Sequence, residues 1–204
     1  TSLVEKNRTP YYKLKYMRQF IEQFTGKLPD ADWKLYEASL KVSEAKKGDV
    51  LLNMNKPCKT IWHLTKGAVR KLEIDNGMER TTHFYTAPKI FTVLNSALTG
   101  EPSDLTIICE EDCEFLTLGV DQLENLYQQS IYIERIGRRM AEEEFVAEFS
   151  MRRIFLKLDA LQRYEYMEKK HPEILQRFQQ KDVATFLGIT PETLSRLRKM
   201  RFSA

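Results

Sequence analysis

Between residues 11 and 26 apolar side chains return at helical intervals: Tyr12, Tyr16, Phe20 and Phe24 form one line, with Leu14, Met17 and Ile21 beside it. That period predicts an amphipathic helix. Pro29-Asp30 interrupts it, and Asp30 can cap a second short helix through Trp33, Leu35 and Leu40. From Lys46 the pattern changes to short runs that read as strands: Val50 to Leu52, Thr60 to Leu64, Ala68 to Ile74, Arg80 to Tyr85, Thr106 to Cys109 and Glu114 to Leu118. Gly48, Gly67 and Gly77 punctuate them. Asp75-Asn76-Gly77 predicts a hairpin, because asparagine and glycine enter positive φ at little cost. Many short strands with regular turns predict a sandwich or barrel.

After Gly119 the helical period returns, first through Leu123, Leu126 and Tyr127, then over a long segment from residue 131 to 156. Ile133, Ile136, Met140, Ala147, Met151 and Ile154 recur at near-heptad intervals on one stripe, with Phe145 and Phe149 on a neighbouring one. A helix that packs only on its own domain needs one such stripe, so two of them predict a homodimer, and the six-residue stripe is assigned to its interface. Glu143 and Glu144 interrupt the seam and exclude an unbroken coiled coil. Asp159 then caps a helix through Leu161, Tyr164 and Met167, which ends near His171-Pro172 and leads into a short connection.

Gln179 to Met200 read as a helix-turn-helix. Val183, Ala184 and Leu187 supply apolar or small side chains where two crossing helices touch, and Gly188 can close the first helix in the left-handed conformation. Ile189 plugs the corner. Thr190 is an N-cap, Pro191 falls at the first helical position, and Glu192 lies in the first turn. Leu194 and Leu197 face the first helix, which leaves Thr190, Glu192, Thr193, Ser195, Arg196, Arg198 and Lys199 for the outer face, a side-chain set suited to double-stranded DNA. Charge agrees: from Gln176 to Ala204 there are six Lys/Arg against two Asp/Glu, a net of +4, while the whole chain is +3 and the remainder therefore −1. Clustered cation is what phosphate neutralisation requires.

Composition narrows the class. With 204 residues and 42% hydrophobic side chains the chain can bury one large or two small cores. No apolar run is long enough to span a membrane and no signal peptide opens the chain, so a cytoplasmic location is expected. Cys58, Cys109 and Cys113 are too sparse for a disulfide framework or a zinc site. A metal- or haem-binding β-roll sensor, or a cupin-like enzyme, is the competing reading. It needs clustered ligands, yet His63 and His83 lie on separate strand-like runs and His171 sits beside Pro172. Glycine-rich phosphate loops and a Gly-x-Ser-x-Gly turn are absent. No enzymatic activity, metal site or cofactor is therefore expected.

The order of parts resembles the Crp/Fnr family of bacterial transcription regulators. Lys47-Gly48-Asp49 is similar to the family's Lys-Gly-Glu, and Ile61 to Val69 to its hydrophobic strand and glycine turn. Glu192-Thr193-Leu194-Ser195-Arg196 is similar to its Glu-Thr-x-x-Arg. Asn55 stands where the family usually has glycine, and asparagine also enters the left-handed region. The resemblance implies an α+β chain with three parts. Residues 1–130 form an effector domain, a jelly-roll-like β-roll with flanking helices similar to a cyclic-nucleotide-binding domain; residues 131–158 a long dimerisation helix; residues 159–204 an all-α helix-turn-helix domain. In the recognition helix it implies that Glu192 accepts from cytosine and Arg196 reads guanine, in keeping with the groove's donor and acceptor pattern. A small-molecule effector and RNA polymerase join DNA and a second copy as implied partners.

Two departures follow. Only Arg201 to Ala204 remain after the recognition helix, so the family's wing has no evident counterpart. Members that bind cyclic nucleotide carry Phe-Gly-Glu-Leu and then Arg-Ser, holding ribose and phosphate. Here the segments run Phe91-Thr92-Val93-Leu94 and Pro102-Ser103-Asp104-Leu105, so Val93 replaces the glutamate, Ser103 the arginine, and Asp104 adds a repelling carboxylate. Ordinary cyclic nucleotide binding is not expected. The effector is instead expected in a pocket between the strands and the long helix, among Val93, Leu94, Leu98, Ser103, Asp104 and Phe145.

Overall fold

The computed structural model describes residues 3–75 and 77–202. Two helices, α1 (Leu3–Thr25) and α2 (Asp30–Ser39), precede eight strands: β1 (Lys41–Ala45), β2 (Val50–Leu52), β3 (Thr60–Lys66), β4 (Ala68–Asp75), β5 (Met78–Thr86), β6 (Lys89–Phe91), β7 (Thr106–Cys109) and β8 (Cys113–Gly119). A short helix α3 (Leu94–Thr99) lies between β6 and β7. Then come α4 (Val120–Tyr127), the long α5 (Ile131–Lys157), α6 (Ala160–Lys170), α7 (Pro172–Arg177), α8 (Gln180–Leu187) and α9 (Pro191–Phe202). The strands form two antiparallel sheets, ordered β1-β8-β3-β6 and β2-β7-β4-β5. This is the α+β roll with flanking helices that the sequence predicts.

Strand β3 is buried on both faces. Along β3, Trp62 and Leu64 join Val69, Tyr85, Ile107 and Cys109 of the other sheet in the roll's interior, while Ile61 packs with Met17, Trp33 and Tyr36 of α1 and α2. Four consecutive buried residues, Ile61 to Leu64, are therefore the signature of a central strand rather than of a helix. The β4–β5 hairpin pairs Asp75 with Met78, and Gly77 takes φ 79°; Asn76 of the predicted turn lies outside the described residues. Asn55 takes φ 66°, as its replacement of a turn glycine requires. At Gly67, φ 99°, a Cβ would stand 2.6 Å from Cys113 Sγ and 2.8 Å from the Asp112 carbonyl, so the turn admits glycine for both conformation and space.

Several expectations change. Asp30 does not cap α2: Pro29 is the N-cap, and the Asp30 carboxylate accepts from Arg18 Nη2 at 2.8 Å. Strand β1, Lys-Val-Ser-Glu-Ala, carries no apolar signal because it is a half-solvated edge; its position comes from pairing with β8, Lys41 opposite Thr117. Strand β6, three residues long, forms by pairing with β3. The connection after His171 is itself helical, since Pro172 at the first position starts α7 instead of breaking the chain. Asp159 does cap α6, in a reciprocal box with Gln162.

The dimer stripe is corrected most. Ile133 and Ile136 are 1% exposed and belong to the core beneath α1 and α4, with Met140 packed beside them and Met151 against the C-terminal core, so these residues are occupied within the chain. Ile154 is half-buried and Ala147 exposed. The free face of α5 is the neighbouring stripe: Phe145 is 71%, Phe149 56% and Leu156 76% exposed.

Candidate DNA-binding face and effector pocket

Helices α8 and α9 build the C-terminal pair. Gly188 caps α8 at φ 69°, its N–H reaching Ala184 O and Thr185 O, and this left-handed residue turns the chain toward α9. Thr190 Oγ1 accepts from the Thr193 N–H at 3.2 Å and fixes the start of α9. Leu194 and Leu197 are buried against Val183, Ala184 and Leu187. Consequently Thr190, Glu192, Arg196 and Lys199 are exposed, and Thr193, Ser195 and Arg198 half-exposed, along one side of the helix. Arg196 Nη2 donates to Thr193 Oγ1 at 3.2 Å, holding the guanidinium over the N-terminal turn. A backbone N–H and the Thr190 hydroxyl hold the Glu192 carboxyl below its ordinary value, so it is an acceptor at neutral pH.

The pair rests on the roll. Phe84 of β5 meets Phe178 and Phe186 with ring centroids 4.4 and 5.3 Å away. Beside them, buried Arg70 of β4 binds Glu110 at 2.7 Å and Glu79 at 3.2 Å on the roll, and Asp182 of α8 at 3.1 Å. Burial pushes the Asp182 carboxyl up, Arg70 opposing it, and its second oxygen has no hydrogen-bond partner. Arg177 adds a bidentate contact to Glu111 and reaches the Gly67 carbonyl at 3.0 Å.

Inside the roll the aromatic rings are stacked, Trp62 on Phe91 and Phe91 on Tyr85, at 5.6 and 5.0 Å. Lys71 is buried among them, its ammonium 4.9 Å from the centre of the Tyr85 ring and 3.5 Å from Glu144 of α5. Burial lowers the Lys71 pKa and Glu144 works against that shift. A cavity of about 90 Å³ opens between α1, α3, α4, α5 and β6, lined by Phe20, Phe24, Leu94, Leu98, Tyr127 and Met140, with Phe91 of the interior stack at its wall.

Residues 42–130, from β1 to the start of α5, match the family described as the cyclic nucleotide-binding domain. The β-roll is thus similar to a cyclic nucleotide-binding domain. Solved structures extend the likeness beyond the roll. FixK2 from Bradyrhizobium japonicum is 18% identical, with 80% of this chain and 85% of that one covered at a TM-score of 0.66. The regulator CLP of Xanthomonas campestris, described as responsive to c-di-GMP, is 14% identical, with 86% and 92% covered and a TM-score of 0.67. A Eubacterium rectale protein assigned to the Crp/Fnr transcriptional regulators is 16% identical, with 86% and 85% covered, also at 0.67. The fold is that of Crp/Fnr regulators. No curated protein matches the sequence significantly.

Within this domain the expected effector residues divide. Leu94 and Leu98 of α3 line the cavity. Val93 is instead buried in the roll core, and Ser103 is occupied locally, donating to the Leu105 carbonyl at 2.8 Å while its backbone bonds Lys56 and Asn55. Asp104 is exposed, and Phe145 points away on the free face of α5. Sequence reading missed what the fold assembles on the other side of the roll: His83 meets Glu148 and Tyr85 meets Glu144, contacts between residues 65 and 59 positions apart. No local pattern announces such pairs, because each half sits in an ordinary strand or helix.

Proposed function

We propose that this chain is a dimeric, sequence-specific DNA-binding transcription regulator of the Crp/Fnr type, gated by a small molecule other than cyclic AMP or cyclic GMP. One observation carries the reading: α9 presents Thr190, Glu192, Arg196 and Lys199 to solvent while Leu194 and Leu197 hold its other side rigidly against α8. Glu192 and Arg196 are then the base-reading pair, with Thr193, Ser195, Arg198 and Lys199 supporting phosphate contacts. The second copy docks along Phe145, Phe149 and Leu156, which recur at four and seven residues as a helix pairing seam requires. Twofold pairing would set two recognition helices on half-sites about 34–36 Å apart. Double-stranded DNA and a second copy are thus the partners best supported, and binding DNA implies a cytoplasmic protein. Among described residues no helix is long and apolar enough to cross a membrane.

For the effector, the positions matching ribose and phosphate contacts are buried Val93 and locally bonded Ser103, and Lys71, a cation over the Tyr85 ring, already faces Glu144. An apolar ligand reaching the cavity at Leu94, Leu98 and Met140 would touch both α3 and the helix that carries the dimer face. Selection of genomic fragments by the full chain, followed by anisotropy at fixed salt, tests the main claim. A preferred site bound at least about a thousandfold tighter than random duplex is expected; equal affinity for both would refute it. Calorimetry with cyclic AMP and cyclic GMP tests the gating claim, and low-micromolar binding of either would overturn it.

A further inference from the structure

The cleft between β5, α5 and the C-terminal helices encloses about 360 Å³ and contains a group of side chains that DNA binding does not use. On its roll side, His83, Glu144 and Glu148 each offer one ligand atom within 4.8 Å of the others. Hydrogen bonding fixes the tautomer of the His83 ring. Thr82 Oγ1 donates its single proton to the Lys71 carbonyl at 3.3 Å, so toward His83 Nδ1, 3.1 Å away, it accepts, and Nδ1 carries the ring proton. The other nitrogen, Nε2, directs its lone pair at Glu148 Oε1, within hydrogen-bond distance. Two lone pairs facing one another require a cation between them, either a proton or a metal ion.

The third ligand is held just as firmly. Tyr85 donates to Glu144 Oε1 at 3.0 Å and the Lys71 ammonium lies 3.5 Å from the same oxygen, which leaves Oε2 for another partner. We infer that His83, Glu144 and Glu148 bind a divalent first-row transition cation of the Zn²⁺ or Mn²⁺ kind, bridging β5 to the long helix α5. One imidazole and two carboxylates suit such ions, whereas an all-oxygen set would suit Mg²⁺ or Ca²⁺. Ligation at about 2.0–2.2 Å draws the three atoms together, a movement that the 55%-exposed Glu148 side chain allows. The Thr82 contact to Nδ1 is the outer hydrogen bond that orients a metal-bound histidine. Two carboxylates and one ammonium sum to −1, so a divalent ion leaves +1 beside open positions for water. The inference goes beyond DNA binding and is independent of it: an ion here would couple the effector domain to the helix of the dimer face.

The experiment titrates the metal-stripped full chain with Zn²⁺ by calorimetry, in the presence of Mg²⁺ in excess, and with Co²⁺ by visible absorption. One ion per chain is expected, with cobalt d–d bands and no thiolate charge-transfer bands. His83→Gln and Glu148→Gln should each weaken Zn²⁺ binding by at least about 100-fold while leaving the circular dichroism spectrum unchanged. Because Glu148 is a solvent-facing position, its variant separates loss of ligation from loss of folding. No Zn²⁺ binding by the parent chain, unchanged affinity in both variants, effective Mg²⁺ competition, or thiolate bands placing the ion on the cysteines would each overturn the site.

Discussion

His63 shows how far a single residue's surroundings reset its chemistry. It is fully buried in β3, and the Leu116 carbonyl can only accept, so Nδ1 donates to it at 3.0 Å and Nε2 accepts from the Tyr36 hydroxyl at 2.7 Å. Burial pushes its pKa down to about 4, below the ordinary 6.5, with the Leu116 bond opposing only partly. A depressed histidine favours the neutral fold: above pH 6.5 its contribution is complete, and as pH falls from 6.5 toward about 4 the unfolded chain takes the proton first. Stability should therefore drop by roughly 3 kcal/mol across that window, and urea midpoints of the parent chain and His63→Gln measured through it will show whether the slope belongs to this ring. At the DNA face, Arg196→Ala should cost roughly 1–3 kcal/mol on the preferred site and relax one base pair, whereas Lys199→Ala should weaken every sequence alike. Parallel losses on specific and random duplex for both variants would contradict the division of roles.

Helix α5 serves two surfaces at once, the chain's own core and a solvent-facing apolar stripe. Ser130 starts it, accepting from the Tyr132 and Ile133 N–H groups at 3.2 Å, and the helix then runs 27 residues with one face in the chain's own core. The two faces predict opposite outcomes. Phe145→Glu with Phe149→Glu should leave a folded monomer with weak operator binding, since a single half-site offers too few contacts. Ile136→Glu should instead unfold the domain, because a carboxylate would enter a site that is 1% exposed. Sedimentation of the double variant as a dimer would remove the assigned seam.

Across the whole molecule, the fixed contact between roll and helix-turn-helix matters most. Arg70, with Glu79 and Glu110 on one side and Asp182 on the other, joins the roll to α8, which the chain itself reaches only through α4, α5, α6 and α7. Removing one member of such a buried network strands the remaining charges. Arg70→Ala should lower stability by roughly 3–5 kcal/mol and open the stretch around residues 158–179 to protease. A loss under about 1 kcal/mol with unchanged cleavage would show that Phe84 and its aromatic neighbours hold the domains together without the ion network.

Periodicity and local turn chemistry are written in consecutive residues, and those the sequence determined by itself: six of the strands, the Gly67 and Gly77 turns, the extent of α5, the Asp159 cap and the geometry of Gly188-Ile189-Thr190-Pro191. Each depends on backbone preferences within a few positions. What the tertiary structure alone decided depends on groups far apart in the chain. Strands β1 and β6 exist through their partners rather than their own propensity. Both stripes of α5 are apolar, so only the placement of α1, α4 and the roll shows that Ile133 and Ile136 are core while Phe145 and Phe149 are free. Leu94 and Leu98 of α3 reach a cavity that Val93 and Ser103, outside the helix, do not, because Val93 precedes α3 in extended backbone buried in the roll and Ser103 bonds within the loop that follows. The meeting of His83 with Glu144 and Glu148 has the same origin: ligand geometry is a property of distances in space, and the strand-to-helix packing that creates it leaves no mark on either segment read alone.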